Sequence, residues 1–241
     1  MKKFFRIGVI EKMLQIVPAL MAIVAFSACT DSDDGDDVQR EITLYDIVEL
    51  AEHDGSNFQF EVYKPDAVEP AVLTATIPSA DFSDVKVGEC LFLAYVPQNG
   101  QAYTSDRVDV KAFASITNSD IKKSTPENLT GWDSDSVYLL SLWRAGNKVC
   151  IRFRLTYDSE PRQFALVADE TTLNDEYPTA YLYCQRKGSD PNFSRQYYAA
   201  FDVSNLWELP GCKGVKIRVN NSNLPEMTCF TVENPFSGGA E

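Results

Sequence analysis

One cysteine lies where an apolar segment meets an acidic one. Cys29 directly follows the small residues Ser27 and Ala28, and five aspartates lie between residues 31 and 37. Small residues suit the cleavage site of a signal peptidase, and a cysteine thiol next to them is a good nucleophile for a lipid-transfer reaction. Upstream, four basic residues precede an uncharged run over 13–28, the order of a signal peptide. This run is shorter than the roughly 20 residues of a membrane-spanning helix, so we expect export, cleavage and lipid attachment at Cys29.

This arrangement resembles the lipobox of bacterial lipoproteins, although Phe26 stands where leucine is usual. Residues 1–28 are then a lipoprotein signal peptide, and residues 29–41 are an acidic tether with too little apolar surface to fold. An acidic segment after a lipidated cysteine also resembles the signal of surface lipoproteins in some Gram-negative gut anaerobes. We therefore expect an outer-membrane lipoprotein, exposed on the cell surface and held to the membrane through lipid on Cys29. The alternative is an ordinary cysteine after a common signal peptide.

The titratable side chains offer little catalytic chemistry. The single histidine, His53, lies in the turn-like segment "EHDGSN", and histidine is the usual proton carrier near neutral pH. We interpret His53 as an exposed loop residue, because no nucleophile signature accompanies it. We therefore expect no enzyme, no cofactor and no metal site. The alternative is an envelope hydrolase, since carboxylates are abundant enough for one pair to act as in glycosidases.

The cysteines after Cys29 do not form a metal-binding pattern. They are Cys90, Cys150, Cys184, Cys212 and Cys229. An odd number leaves at least one thiol without a partner in the same chain, and no two are close enough in sequence for a zinc knuckle. Disulfides are chemically possible after export, and the sequence leaves their pairing open.

A local cationic group stands out in the segment 184–196. Arg186, Lys187 and Arg195 flank a glycine and a proline, which predict a loop between two strands. If those strands pair antiparallel, Arg186 and Arg195 lie close together at the base of the loop and can hold an acidic group with several donors. These three residues are the candidate contacts for a partner. The alternative is that they only offset the aspartates around them.

The overall charge excludes one class of partner. The net charge of the chain is −13, and removal of residues 1–28 takes away four cations and one anion, which moves it to −16. Such a charge repels phosphate backbones. The candidate strands of the first half carry few cations besides Arg107 and Lys111, whereas oligonucleotide binders need a cationic groove. We expect no nucleic-acid binding.

The second half of the chain has the period of two that is typical of strands. In "KVCIRFRLTY" the residues Val149, Ile151 and Phe153 alternate with polar side chains, and "AGNK" before it supplies a hairpin turn through Gly146. Seven strands are predicted, the number of an immunoglobulin-like sandwich: "SVYLLSLWR", "KVCIRFRLTY", "QFALV", "TAYLYCQR", "RQYYAAF", "GVKIRVN" and "MTCFTVE".

Aromatic pairs on two of these strands offer a choice between binding and packing. Tyr181 and Tyr183 share one face of a strand, and Tyr197 and Phe201 share one face of another. They could stack on sugar rings, but we favour core packing because large aromatics dominate the interiors of sandwiches.

The first half predicts five further strands and hence a small OB-like barrel: "EITLYDIVEL", "NFQFEVY", "AVLTATI", "ECLFLAYV" and "RVDVKAFASI". The fold class is therefore all-β. The expected domains after the tether are the OB-like barrel over 42–122, a polar linker over 123–134, the immunoglobulin-like sandwich over 135–235 and a tail over 236–241.

The order of several segments resembles one family, the NigD-like lipoproteins. These segments are the lipobox, the acidic tether, "VGECLFLAYV", "DRVDVKAFASI", "RQYYAAFDVSNL" and "GVKIRV". The resemblance implies an OB-like barrel followed by a β-sandwich, a cell-surface location and an association with bacteriocin-linked genes. It carries over no catalytic residues.

Together these observations predict a lipid-anchored surface protein that binds a protein or glycan partner without catalysis. The alternatives are the envelope hydrolase and an accessory or immunity factor for a secreted bacteriocin.

Overall fold

The structure is a computed structural model, and it describes residues 42–64, 67–78, 82, 84–100, 106–128, 135–156, 162–185, 193–224 and 228–237. Fourteen strands make up most of the described part: β1 (Leu44–Asp54), β2 (Asn57–Val62), β3 (Ala71–Thr76), β4 (Cys90–Pro97), β5 (Val108–Ser115), β6 (Thr117–Asp120), β7 (Lys122–Ser124), β8 (Tyr138–Ala145), β9 (Lys148–Thr156), β10 (Gln163–Asp169), β11 (Thr179–Gln185), β12 (Ser194–Asp202), β13 (Gly214–Val219) and β14 (Thr228–Glu233). The helical elements with both ends in the described residues are one short helix, α1 (Ser204–Trp207), and 3-10 turns at Pro126–Asn128 and Glu170–Thr172. The all-β prediction is confirmed.

The first five strands form one antiparallel sheet in the order β3-β2-β1-β4-β5. Alternating apolar residues create its core, because side chains of a strand point in turn to opposite faces. Phe60, Leu91, Leu93 and Tyr95 are fully buried there. All five predicted strands are present. A single bridge between Thr74 and Arg107 links β3 to the residue before β5, and closure of the sheet into a barrel is not shown.

The other nine strands form a sandwich of two sheets. One sheet has the order β14-β13-β11-β10-β7 and the other the order β6-β12-β9-β8. Their inner faces share one buried core, to which both sheets contribute large side chains such as Ile151, Phe153, Leu166, Phe201 and Ile217. All seven strands predicted for this half are present, and apolar residues at alternating positions of each strand bury its inner face in the shared core.

Two short strands join the sandwich from the segment before it. β6 pairs in parallel with β12, and β7 pairs in parallel with β10. Ile121 lies between them, buried in the core, and its N–H donates to the carbonyl of Asp202 (2.8 Å). The pairing places 117–124 at the edges of both sandwich sheets, whereas the predicted domain limits put these residues before the sandwich. Those limits stay a prediction.

The first sheet packs on the outer face of the four-stranded sheet. We call this contact the junction, and its buried centre consists of Cys90, Ala145, Cys150 and Ala200, with Tyr63 among the half-buried residues around it. The predicted β8–β9 hairpin forms part of it. Gly146 has a positive φ of 57° there, which glycine adopts at no steric cost, and a Cβ at this position would lie 2.6 Å from the ring of Tyr63.

Within the described ranges, no helical segment has the length and apolar character that crossing a membrane requires.

Candidate functional site

The outer face of β9 connects a buried region to an exposed one. Lys148 and Cys150 lie under the first sheet, Arg152 is half-buried at its rim, and Arg154 and Thr156 are exposed beyond it. The opposite face of β9 lies entirely in the core. The outer face therefore changes along one strand from structural contacts to side chains that solvent and ligands reach.

Aromatic rings from both sheets stack at the rim. The ring of Tyr198 lies 4.3 Å from that of Phe92, with 27° between their planes, and Phe92 lies 6.0 Å from Tyr45. The guanidinium of Arg152 lies 5.8 Å from the Tyr198 ring on β12, within the range of a cation–π contact. Tyr45 is 42% exposed. The stack therefore crosses from the first sheet to the sandwich and ends at an open ring.

Gln196 holds the polar part of this stack. Its Oε1 accepts hydrogen bonds from Nε (3.2 Å) and Nη2 (3.0 Å) of Arg152 and from the hydroxyl of Tyr198 (3.1 Å). Burial raises the pKa of Tyr198, and the charge of Arg152 opposes the shift only in part. The phenol thus remains a neutral hydrogen-bond donor, and the three side chains form one positioned unit.

A cleft opens at the end of the same face. It has a volume of about 500 Å³, a size typical of small-ligand sites. The guanidinium of Arg154 lies 5.6 Å from the ring of Tyr138, which is 46% exposed. The residues that line this end cleft are Asp135, Ser136, Tyr138, Arg154, Leu155, Thr156, Arg162, Ser194 and Ser222.

Arg162 forms the inner wall of the end cleft. Its side chain is only 3% exposed, and its Nη1 lies 3.9 Å from Oδ2 of Asp135. Nη2 donates to the carbonyl of Thr156 (3.1 Å), and Nη1 donates to Sγ of Cys184 (3.7 Å). These contacts fix Arg162 in place, so the cleft has one anchored cation and, at its mouth, the more exposed Arg154.

We define the aromatic–arginine surface as Tyr45, Phe92, Tyr198, Arg152, Gln196, Arg154 and Tyr138. The residues of this surface that belong to the sandwich are neighbours across adjacent strands. Tyr138 pairs with Arg154, Arg154 with Gln196, and Arg152 with Tyr198. Rings provide contact area at low entropic cost, and arginine provides several directed donors. This composition is typical of residues that dominate binding interfaces.

The buried charges of the junction have a different character. Nζ of Lys148 forms an ion pair with Glu49 of β1. Burial lowers the pKa of Lys148, but the hydrogen bond to Glu49 and the nearby acidic groups outweigh it, so the pKa is raised. Burial also raises the pKa of the Cys90 thiol to about 12 and raises that of Cys150. These protonated thiols are poor nucleophiles, and the junction is structural.

The structure tests one premise of the predicted cationic contact. Cys29, Arg186 and Lys187 lie outside the described residues. Arg195 lies at the start of β12 and pairs with Leu155, which lines the end cleft. The expected antiparallel pairing of the flanking strands is wrong, because β11 pairs with β10 and β13 while β12 pairs with β9 and β6. The two strands that flank this segment therefore belong to different sheets, and the role of the segment in binding stays a prediction.

The aromatic pairs divide between the two faces of the sandwich. Phe201 and Tyr197 belong to the core, as expected. Core packing was the wrong expectation for Tyr181 and Tyr183. These residues lie on the outer face of the five-stranded sheet, with 6.2 Å between their ring centroids. Their alternation with the buried Ala180, Leu182 and Cys184 produces this outward direction.

The remaining sequence candidates have ordinary surroundings. His53 is exposed, as predicted, but it lies within β1 and stacks on Phe58 at 5.7 Å. All five cysteines after Cys29 are free thiols. No group of three or more metal-ligating side chains occurs among the described residues. Asp135 is the single carboxylate among the described residues that line the end cleft.

The sequence contained a partial signal for this site. The alternation of "IRFR" places Arg152 and Arg154 on the polar face of β9. Nothing in that pattern shows that Phe92, from a distant segment, lies on Tyr198. The stack depends on the packing of two sheets.

Similar folds occur among solved structures. A protein of unknown function from Bacteroides vulgatus matches 82% of this chain and 93% of its own, with a TM-score of 0.58 and 17% identity. A NigD-like immunity protein from Bacteroides caccae matches 83% of this chain and 94% of its own, with a TM-score of 0.52 and 15% identity. The chain shares the fold of a NigD-like immunity protein. The NigD-like resemblance is thus confirmed at the level of the fold. No family model and no curated protein sequence matches this chain significantly.

Proposed function

We propose that this chain is a lipid-anchored protein of the bacterial cell surface that binds a protein or glycan partner through the aromatic–arginine surface. The observation that carries the proposal is the stack of Tyr45, Phe92 and Tyr198 under Arg152, which crosses both sheets and has an open end. Burial of exposed aromatic rings against a partner is favourable. The positioned guanidinium groups beside these rings supply directed hydrogen bonds to the same partner. The lipobox and the acidic tether support the location.

Binding without catalysis is the chemistry that the surface supports best. The end cleft has hydroxyls and guanidinium groups but one carboxylate among its described lining residues, whereas a glycosidase mechanism requires two. The thiols of the junction are buried and protonated at neutral pH.

Anchoring is tested by mass spectrometry of the protein purified from its host. We expect acyl chains on Cys29 at the new N-terminus and loss of membrane association in Cys29→Ala. Protease treatment of intact cells then tests surface display separately. An unmodified thiol at Cys29, or cleavage elsewhere, contradicts the anchor.

Binding is tested by chemical cross-linking on intact cells that carry wild-type protein or the double variant Arg152→Ala/Tyr198→Ala. We expect the variant to lose the cross-linked or glycan-bound species that the wild type retains. The conservative double variant Arg152→Gln/Tyr198→Phe keeps the size of both side chains, so that a loss of binding is not caused by misfolding. Arg218→Ala is the matched control, because Arg218 is exposed on β13, outside the aromatic–arginine surface. Retention of the same species by both surface variants contradicts the proposal.

An immunity or accessory role is the second candidate, because a structure with this fold is described as a NigD-like immunity protein. Deletion of the gene is then expected to sensitise cells to a toxin of neighbouring strains, and complementation by the wild type but not by the double variant would connect that role to the same surface.

A further inference from the structure

The end cleft combines three kinds of group: guanidinium groups, an exposed aromatic ring and hydroxyls. Two arginines, Arg154 and Arg162, supply positive charge, and Tyr138 supplies an exposed ring. Residues with a hydroxyl group line the rest of the cleft: Ser136, Tyr138, Thr156, Ser194 and Ser222. We propose that the end cleft binds a carboxylate-bearing sugar, a uronate or sialate unit of a glycan. This inference rests on the proposed binding function and names its ligand class.

Arg154 is the residue that selects for the carboxylate. Its guanidinium is exposed and held by the ring of Tyr138, and within the described part of the chain no carboxylate pairs with it. On a chain with a net charge of −13, an exposed arginine beside so many acids would be expected to have such a partner. Guanidinium and carboxylate match in geometry and form two parallel hydrogen bonds. The open donors of Arg154 thus fit an incoming carboxylate.

Arg162 has a supporting role in the same cleft. Asp135 is at the outer limit of an ion pair with it, at 3.9 Å, and Thr156 accepts one of its hydrogen bonds. Asp135 offsets much of the Arg162 charge, so one net positive charge remains among the ionised lining residues, on Arg154.

The rest of the lining distinguishes a sugar from other carboxylates. A sugar ring presents hydroxyls at its edge and C–H groups on its faces, which match the serine and threonine hydroxyls and the Tyr138 ring. A peptide carboxylate would use the arginine but leave the hydroxyls without partners, at a cost in affinity. A phosphate carries more charge and meets stronger repulsion from the acidic protein. The volume of about 500 Å³ accommodates one or two sugar units.

Calorimetry on the full chain in detergent tests the proposal with paired probes. The acidic probes are trigalacturonate and sialyllactose, and their neutral partners are methyl-esterified trigalacturonate and lactose. We expect the wild type to bind at least one acidic probe about tenfold more tightly than its neutral partner, as expected for one charge-assisted contact. The pair of probes that shows this difference in affinity identifies the ligand as a uronate or a sialate.

Four variants assign the difference in affinity to particular residues. Arg154→Gln is expected to lower the affinity for the acidic probe at least about tenfold and to leave the affinity for the neutral probe unchanged. Tyr138→Ala is expected to weaken both probes, whereas Tyr138→Phe keeps the ring and most of the affinity. Arg218→Gln removes an exposed charge outside the cleft and is expected to stay within twofold of the wild type.

Several outcomes overturn the proposal. They are equal binding of acidic and neutral probes, unchanged affinity of Arg154→Gln, tighter binding of inorganic phosphate, tighter binding of a peptide with a free carboxyl terminus, and no binding of any sugar probe. Failure here is separable from failure of the proposed function. One result separates the two. If the cleft variants bind every probe as the wild type does, but Arg152→Ala/Tyr198→Ala still loses its partner, the proposed binding function stands and the acidic-sugar ligand is wrong.

Discussion

The junction and the end cleft use the same face of one strand for opposite purposes. Lys148 and Cys150 of β9 are covered by the first sheet, and Lys148 is paired with Glu49. Arg154, farther along the same face, has an aromatic ring beneath it and open solvent above it. Both positions carry a cation, but only one of these cations is free to meet a ligand.

The difference shows that burial, not residue type, assigns the role. A buried charge must be paired, because its desolvation otherwise costs several kcal/mol. An exposed charge contributes little to stability and can be kept for recognition. Substitutions in the junction should therefore change stability, and substitutions at the cleft should change binding.

The largest effect is expected from Glu49→Ala. The side chains of Lys148 and Glu49 are 13% and 25% exposed, so the substitution leaves a largely buried ammonium on which Asp202 is the remaining carboxylate that acts electrostatically. We expect a loss of about 3 kcal/mol in the free energy of unfolding, measured by urea denaturation at pH 7.

The double variant Glu49→Leu/Lys148→Met is the control for that loss. It replaces the ion pair by apolar side chains, which is often neutral for stability, and we expect it to recover most of the lost free energy. If Glu49→Ala alone unfolds at the same urea concentration as the wild type, the ion pair has no structural role.

A smaller loss of about 2 kcal/mol is expected from Gly146→Ala. The positive φ strains an alanine, and the new Cβ would lie 2.6 Å from the Tyr63 ring that packs across the junction. Gly100→Ala is the matched control, because Gly100 has a φ of 71° and open space around it. The difference between the two thermal midpoints isolates the contact with Tyr63, and equal midpoints would show that this contact contributes nothing.

Alkaline pH should weaken the junction selectively. The pKa of Cys90 is raised to about 12 in the folded protein, whereas the thiol of the unfolded chain ionises near its ordinary value. The unfolded state therefore loses its proton first, and stability is lost as pH rises from about 9 toward 12. Between pH 8 and pH 10 we expect the contribution of Cys90 to fall by about 1.4 kcal/mol.

This contribution is measured as the difference in pH dependence between the wild type and Cys90→Ala. The packing defect of the alanine is present at both pH values and cancels. Identical slopes for Cys90→Ala and the wild type would contradict the burial of this thiol.

The smallest effect on stability is expected at the cleft. Arg154→Gln should change the free energy of unfolding by less than about 0.5 kcal/mol, since exposed surface substitutions seldom exceed this. Differential scanning calorimetry measures it on the same samples that are used for sugar binding. A loss as large as that of Glu49→Ala would remove the contrast between the two regions.

The strands themselves were predictable because their chemistry is local. Every strand with a regular alternation, such as β9, was predicted from its own residues, and the Gly146 turn followed from the need for a positive φ. β6 and β7 were missed because they are short and polar, and they are strands only through their pairing with β12 and β10.

The candidate site was predictable only in part. The polar face of β9 was visible in the sequence. The predicted proximity of Arg195 and Arg186 depended on a pairing of β11 with β12 that does not occur. Strand alternation does not state which strands become neighbours, because that choice depends on contacts between distant segments. The tyrosines of β11 were misplaced because both faces of that strand carry apolar or aromatic residues, and alternation alone does not show which of the two faces is buried.

The all-β class, the alternation of residues between the two faces of each strand and the acidic charge that disfavours nucleic acid all follow from the residues alone. The tertiary structure alone decided that Lys148 and Cys150 are covered while Arg152 and Arg154 stay accessible, and that Phe92 lies on Tyr198. The physical reason is that alternation marks one face of a strand as polar, whereas the covering of that face depends on how a second sheet packs over it.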